Sequence, residues 1–120
     1  MKESILKIKS YNFALQIIKS YQLIVKNDKE YTLSRQLLRS GTSVGANIRE
    51  AEFAQSNKDF ISKMSIALKE ANETEYGIAL LHDSSYLKHD LFLSLTSQNK
   101  ELIKMLVATI NTMKSKSTNF

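Results

Sequence analysis

The chain has 120 residues and a formal net charge of +5, a length that fits one domain, 1–120, with room for a real core. It contains no cysteine, which excludes disulfides and thiolate metal sites. It has no proline and three glycines, which argues against the turn-rich all-β and α/β classes and for a few long helices.

Lys2, Glu3, Lys7 and Lys9 interrupt any early apolar run, so no secretory leader is expected. No uncharged apolar stretch approaches about 18 residues, so no membrane span is expected and the expected location is cytoplasmic. The charge is uneven. Residues 1–58 hold ten Lys/Arg against five Asp/Glu, and residues 59–120 hold seven against seven.

The first predicted helix covers about 4–27. Phe13, Ile17, Tyr21 and Ile24 recur at helical spacing, and Leu15, Ile18 and Val25 widen the stripe. A polar "NDKE" then breaks the pattern. The second predicted helix covers about 31–54 and contains "SGTSVGANIREAE", with two glycines four residues apart. A loop there would reset the apolar phase. Leu33, Leu37, Gly41, Val44, Ile48 and Ala51 keep phase throughout, so one helix is predicted to run through both glycines. Glycine in a helix costs about 1 kcal/mol relative to alanine. Close approach of a neighbouring helix is the expected compensation, and Gly41 and Gly45 are expected to meet Ala67 and Ala71 of the third helix. A phosphate-gripping loop is excluded, because Ala46-Asn47 stand where Gly-Lys-Ser/Thr would be needed.

The third predicted helix covers about 57–83. Ser56 with Asp59 resembles a capping box. Phe60, Met64, Ala67, Ala71, Thr74, Ile78 and Leu81 form a heptad seam. The fourth covers about 90–114, with Asp90 as an expected N-cap and 115–120 as a frayed tail. It carries Phe92, Leu95, Asn99, Leu102, Leu106, Ile110 and Met113, with Leu91, Ile103 and Val107 on a flank. That breadth points either to self-association or to scattered surface apolar residues. Four helices with short connections predict an all-α antiparallel up-down four-helix bundle.

His82-Asp83 and His89-Asp90 form a near-duplicate in the third connection. No further histidine exists, and no Glu-x-x-His pair is present, so these read as capping and solvated residues. No catalytic residue, metal site or cofactor is expected, and the chain is not expected to be an enzyme. Arg35, Arg39 and Arg49 fall within one broad face of the second helix, with Lys26, Lys29 and other lysines of the first helix beside them. This face reads either as a surface for nucleic-acid phosphates or as a solvated face with salt bridges to Glu50 or Glu52. Asn47 and Glu50 share a face bordering the core. They are expected to join a structural polar network with Thr74 or Glu75, or else to contact a ligand.

The stretch "LSRQLLRSGTSVGANIREAEFAQSNKDFISKMSIALKEANETEYGIALL" resembles the bacterial four-helix-bundle family named for proteins encoded in 23S ribosomal-RNA intervening sequences. The shared pattern falls on Gln36-Leu37, Arg39-Ser40, Ser43-Val44-Gly45, Asn47-Ile48 with Glu50, Ser56 with Asp59-Phe60, Ala67-Leu68 with Glu70-Ala71, and Glu73-Thr74. Two positions depart: Ala51 replaces a common glycine, and Gly77 stands where a bulky aromatic is expected. The resemblance implies a ring-shaped homopentamer and no enzymatic activity. It also brings in a related basic pentamer, the accessory protein of diversity-generating retroelements, which associates with a reverse transcriptase and nucleic acid. The expected function is a non-catalytic homo-oligomeric module that binds RNA, DNA or a nucleic-acid-processing protein through the basic face. The alternative is a protein-interaction scaffold with no nucleic-acid role, and neither reading involves a membrane.

Overall fold

Four amphipathic repeats become four long helices. The computed structural model describes residues 2–118, with side-chain surroundings for 5–116. The side chain of Lys2 and the last two residues of the expected frayed tail lie outside the described residues. The helices are α1 (Lys2–Asp28), α2 (Thr32–Ala51), α3 (Asn57–Asp83) and α4 (His89–Thr118), and the described residues include no strand. No helix among them is long and apolar enough to cross a membrane.

Each helix buries one heptad seam. In α1 it is Leu6, Ser10, Phe13, Ile17, Ser20 and Ile24, and in α2 it is Leu37, Gly41, Val44, Ile48 and Ala51. In α3 it is Met64, Ala67, Ala71, Thr74, Ile78 and Leu81, and in α4 it is Leu95, Asn99, Leu102, Leu106 and Ile110. Seams of this period let near-parallel helix axes share a continuous core. α2 packs on α1 and α3, and α4 packs on α3 and α1, while among the described residues no Cα atoms of the two diagonal pairs come within 8 Å. The result is a four-helix bundle about 54 × 22 × 21 Å. Register can be read from the contacts: Ile17 and Ser10 of α1 meet Gly41 and Gly45 of α2, and Ser40 and Leu37 of α2 meet Thr74 and Gly77 of α3. In these two pairs numbers rise along one helix as they fall along the other.

The helix ends have separate causes. Lys29 takes a left-handed conformation (φ 53°) and its N–H bonds the Val25 carbonyl at 3.1 Å, which closes α1. The Glu30 carboxylate then accepts the backbone N–H groups of Thr32, Leu33 and Ser34 at 3.0, 3.0 and 2.8 Å. These are donors that the first turn of α2 leaves without helical partners. Burial alone raises the Glu30 pKa, but these bonds outweigh it and hold the carboxyl below its ordinary value. Past Ala51, the N–H groups of Glu52, Phe53 and Ala54 bond carbonyls three residues back, so the α-helix ends before the expected residue 54. At α3, Ser56 Oγ accepts from Asp59 N at 3.0 Å while Asp59 Oδ2 accepts from Gln55 N at 3.1 Å. α4 runs past the expected stop near 114. No glycine or proline interrupts it, and Lys116 lies in its last turn, where a cation suits the helix dipole.

In α1 the seam contains Ser20, while Tyr21 is only half buried and Leu15 is exposed. The serine tolerates burial because its Oγ donates to the Gln16 carbonyl at 3.0 Å.

Candidate functional site

The glycine stretch lies in the middle of α2, as one uninterrupted helix. Its packing partner differs from the expected one. A Cβ on Gly41 would stand 2.8 Å from Ile17 Cγ1, and one on Gly45 would stand 3.3 Å from Ser10 Oγ. Both glycines therefore form a notch for α1, and not a seat for Ala67 and Ala71 of α3. Those alanines are fully buried on a different side of α2, next to the contact where the Ser40 hydroxyl lies 3.0 Å from the Thr74 hydroxyl. The helical period places Gly41 and Ser40 about 100° apart, so one helix serves two neighbours.

Asn47 and Glu50 do not form the expected network. Asn47 Nδ2 donates to the Ser43 carbonyl one turn back at 2.8 Å, and Glu50 is exposed. The buried polar groups lie elsewhere. Thr74 Oγ1 donates to the Glu70 carbonyl at 2.7 Å, and Asn99 Nδ2 donates to the Ala71 carbonyl at 2.9 Å. Asn99 Oδ1 is buried without a partner.

The arginines point away from the α2 core seam but diverge. Arg39 Nη2 lies 3.3 Å from Oε1 of the nearly buried Glu70 and 3.8 Å from Glu73 Oε1. The partners of Arg39 are thus on α3, while the expected salt bridge to Glu52 is made from the α1 side of the face and Glu50 takes none among the described residues. Glu52 is bonded by Lys7 of α1 at 2.7 Å. Arg35 and Arg49 are exposed, and neither has an ion-pair partner within 4.0 Å among the described residues. Arg49 overhangs a groove between α1 and α2. Lys26 and Lys29 stand exposed at the opposite end of that helix pair.

The groove encloses about 520 Å³ and is lined mainly by Ile8, Tyr11, Ala14, Gly45 and Ala46, with Lys7 and Arg49 at its rim. It adjoins a run of exposed apolar side chains. Ile8, Tyr11 and Leu15 are 60%, 63% and 41% exposed and follow one another at steps of three and four residues along α1. Ile18, half buried, continues the line. α1 therefore has a second apolar stripe opposite its core seam. The flank of α4 is partly used within the bundle: Leu91 and Ile103 pack against the core, while Val107 is exposed, as is Leu93 at 54%. The sequence signal for the α1 stripe was its 8–11–15–18 spacing, hidden because the same helix also carries the core pattern.

His82 and His89 come into contact at the corner between α3 and α4. No group of three or more His, Cys, Asp or Glu side chains that could hold a metal occurs among the described residues.

A family model described as 23S rRNA-intervening sequence protein matches residues 2–108 of the chain. A solved structure of a protein of unknown function, from the S23 ribosomal protein family of Bacteroides thetaiotaomicron, is 49% identical. It covers 92% of this chain and 99% of its own, with a TM-score of 0.90. No curated protein matches the chain.

Proposed function

The chain belongs to the 23S rRNA-intervening sequence protein family, and from that premise we propose that it is a non-catalytic subunit of a ring. In this reading up-and-down antiparallel bundles assemble as a homo-oligomer, five-membered as the family resemblance implies. The ring holds nucleic-acid phosphates or a ribonucleoprotein through its cationic surface. The observation that carries the assembly is the outward apolar stripe of α1 beside the α1–α2 groove. A helix apolar on opposite faces needs cover on both. The cationic half rests on Arg35 and Arg49, which no carboxylate among the described residues meets within 4.0 Å. Five chains at +5 carry about +25 in all, enough for salt-sensitive attraction to a phosphate backbone without base reading.

A filter-binding titration with RNA and with DNA tests this. Binding at low salt should weaken steeply as salt rises, as expected when phosphate contacts release counterions. Arg35→Ala with Arg49→Ala should weaken it uniformly across sequences. Arg39→Ala is a poorer probe, because it leaves Glu70 nearly buried without its cation. Absence of binding at low salt removes the nucleic-acid half. A stoichiometric protein partner that survives nuclease treatment would favour the scaffold reading instead.

A further inference from the structure

Both histidines of the chain stand where α3 ends and α4 begins, and they touch. His82 Nε2 lies 3.0 Å from His89 Nδ1, and His82 Nδ1 lies 3.0 Å from Asp83 Oδ1. The His82 ring is stacked on Phe92, with centroids 3.9 Å apart and planes within 18°. Three contacts thus fix one ring, while the exposed His89 keeps the bond to His82 and a looser stacking on Phe92, with centroids 5.9 Å apart. An ionised carboxylate can only accept, so Asp83 places the His82 proton on Nδ1 and leaves a lone pair on Nε2. His89 Nδ1–H donates to that lone pair.

This is the arrangement of a metal-binding imidazole whose far nitrogen is held by a carboxylate. Imidazole nitrogens bind zinc at about 2.0–2.1 Å. Two of them on one ion stand about 2.9 Å apart at right-angle ligation and about 3.3 Å apart at tetrahedral ligation, by geometry from that bond length. The observed 3.0 Å falls within this span. We propose that His82 and His89 chelate a divalent first-row transition ion, copper(II) most tightly, with Asp83 orienting His82. The ion takes His82 Nε2 and His89 Nδ1. The His89 proton moves to its Nε2, so each ring remains a neutral imidazole and no proton leaves. No third side chain closes the site, and water fills the remaining positions. The bound ion is therefore exchangeable, and it clasps the end of α3 to the start of α4. The order copper, then nickel and zinc, follows the general affinity series for such nitrogen donors.

The experiment is titration of the full chain with copper(II) chloride, then zinc chloride, read by calorimetry and by the visible absorbance of the copper complex. One ion per chain is expected, saturating at micromolar concentration. His82→Ala and His89→Ala should each weaken binding at least tenfold, and Asp83→Asn about tenfold, the usual scale for a second-shell partner. Helical circular dichroism confirms that each variant is folded. His89→Ala removes an exposed side chain, so it serves as the test even if His82→Ala unfolds. Equal affinity of the wild type and a folded His89→Ala chain would overturn the proposal. So would the lack of stoichiometric binding by the wild type at about 100 µM copper. Unchanged affinity in Asp83→Asn would remove the orienting role.

Discussion

Gly41 and Gly77 are both helical glycines, yet their surroundings assign them opposite roles. At Gly41 an added Cβ would meet Ile17 Cγ1 and Cγ2 at 2.8 and 2.9 Å. At Gly77 it would meet Leu37 Cδ1 at 3.5 Å, an ordinary contact, and the backbone there has no positive φ. Alanine gains about 1 kcal/mol of helix propensity at either place. At Gly41 the gain is offset by overpacking of about 1–3 kcal/mol. Gly77→Ala should therefore raise stability by about 0.5–1 kcal/mol, while Gly41→Ala should lower it by up to about 2 kcal/mol. Chemical denaturation of the two variants side by side checks both signs. The sequence showed that something must compensate Gly41, because the phase of α2 never slips. It could not show which helix supplies the compensation, since Ile17 is 24 positions away and spacing along α2 carries no information about its neighbours. The same blindness hid the partner of Arg39, since Glu70 lies 31 positions on.

Each helix end has its own device, and the start of α2 depends on one carboxylate. Glu30 lies two residues before Thr32 and satisfies three N–H groups. Removing such a cap costs about 0.5–2 kcal/mol, so Glu30→Ala should lower the melting temperature. The pH dependence follows from its lowered pKa. A carboxyl depressed in the folded chain contributes stability above its unfolded pKa, near the ordinary 4.5, and loses it as pH falls through the folded value. Wild type and Glu30→Ala should therefore differ in melting temperature at pH 7 and converge well below pH 4.5. Apolar spacing made the four helices legible, because repeats of three and four persist for many turns. The ends were harder to read. Glu30 is not among the usual N-cap residue types, and nothing in residues 114–118 stops a helix that is already formed.

For the whole molecule, the decisive feature is the second stripe on α1. Tyr11→Asp with Leu15→Glu changes two exposed side chains and leaves the core seam intact. This variant should keep its helical signal but lose assembly, with light scattering reporting 13.7 kDa, the mass of one chain, where the wild type gives a multiple of it. A wild-type mass of 13.7 kDa would remove the ring from the proposed function. Spacing alone places the broad apolar face on α4, whereas Leu91 and Ile103 pack against the core. On α1 the outer residues were absorbed into a single widened stripe, although Leu15 is separated from Phe13 by about 200° of helical turn.

That two-faced helix also makes the chain's choice of interior less obvious than its finished form. Measured by greasiness alone, Ile8, Tyr11, Leu15 and Ile18 rival the inner row, which includes Ser10 and Ser20. A half-rotation of α1 would offer the bundle an interior of comparable oiliness. What rejects this impostor is shape: the side-chain-free hollow at Gly45 receives the small Ser10, and the phenol ring of Tyr11 arriving in its place would find no room. Two hydrogen atoms where methyl groups are customary thus act as the arbiter between a correct bundle and its mirror-faced competitor.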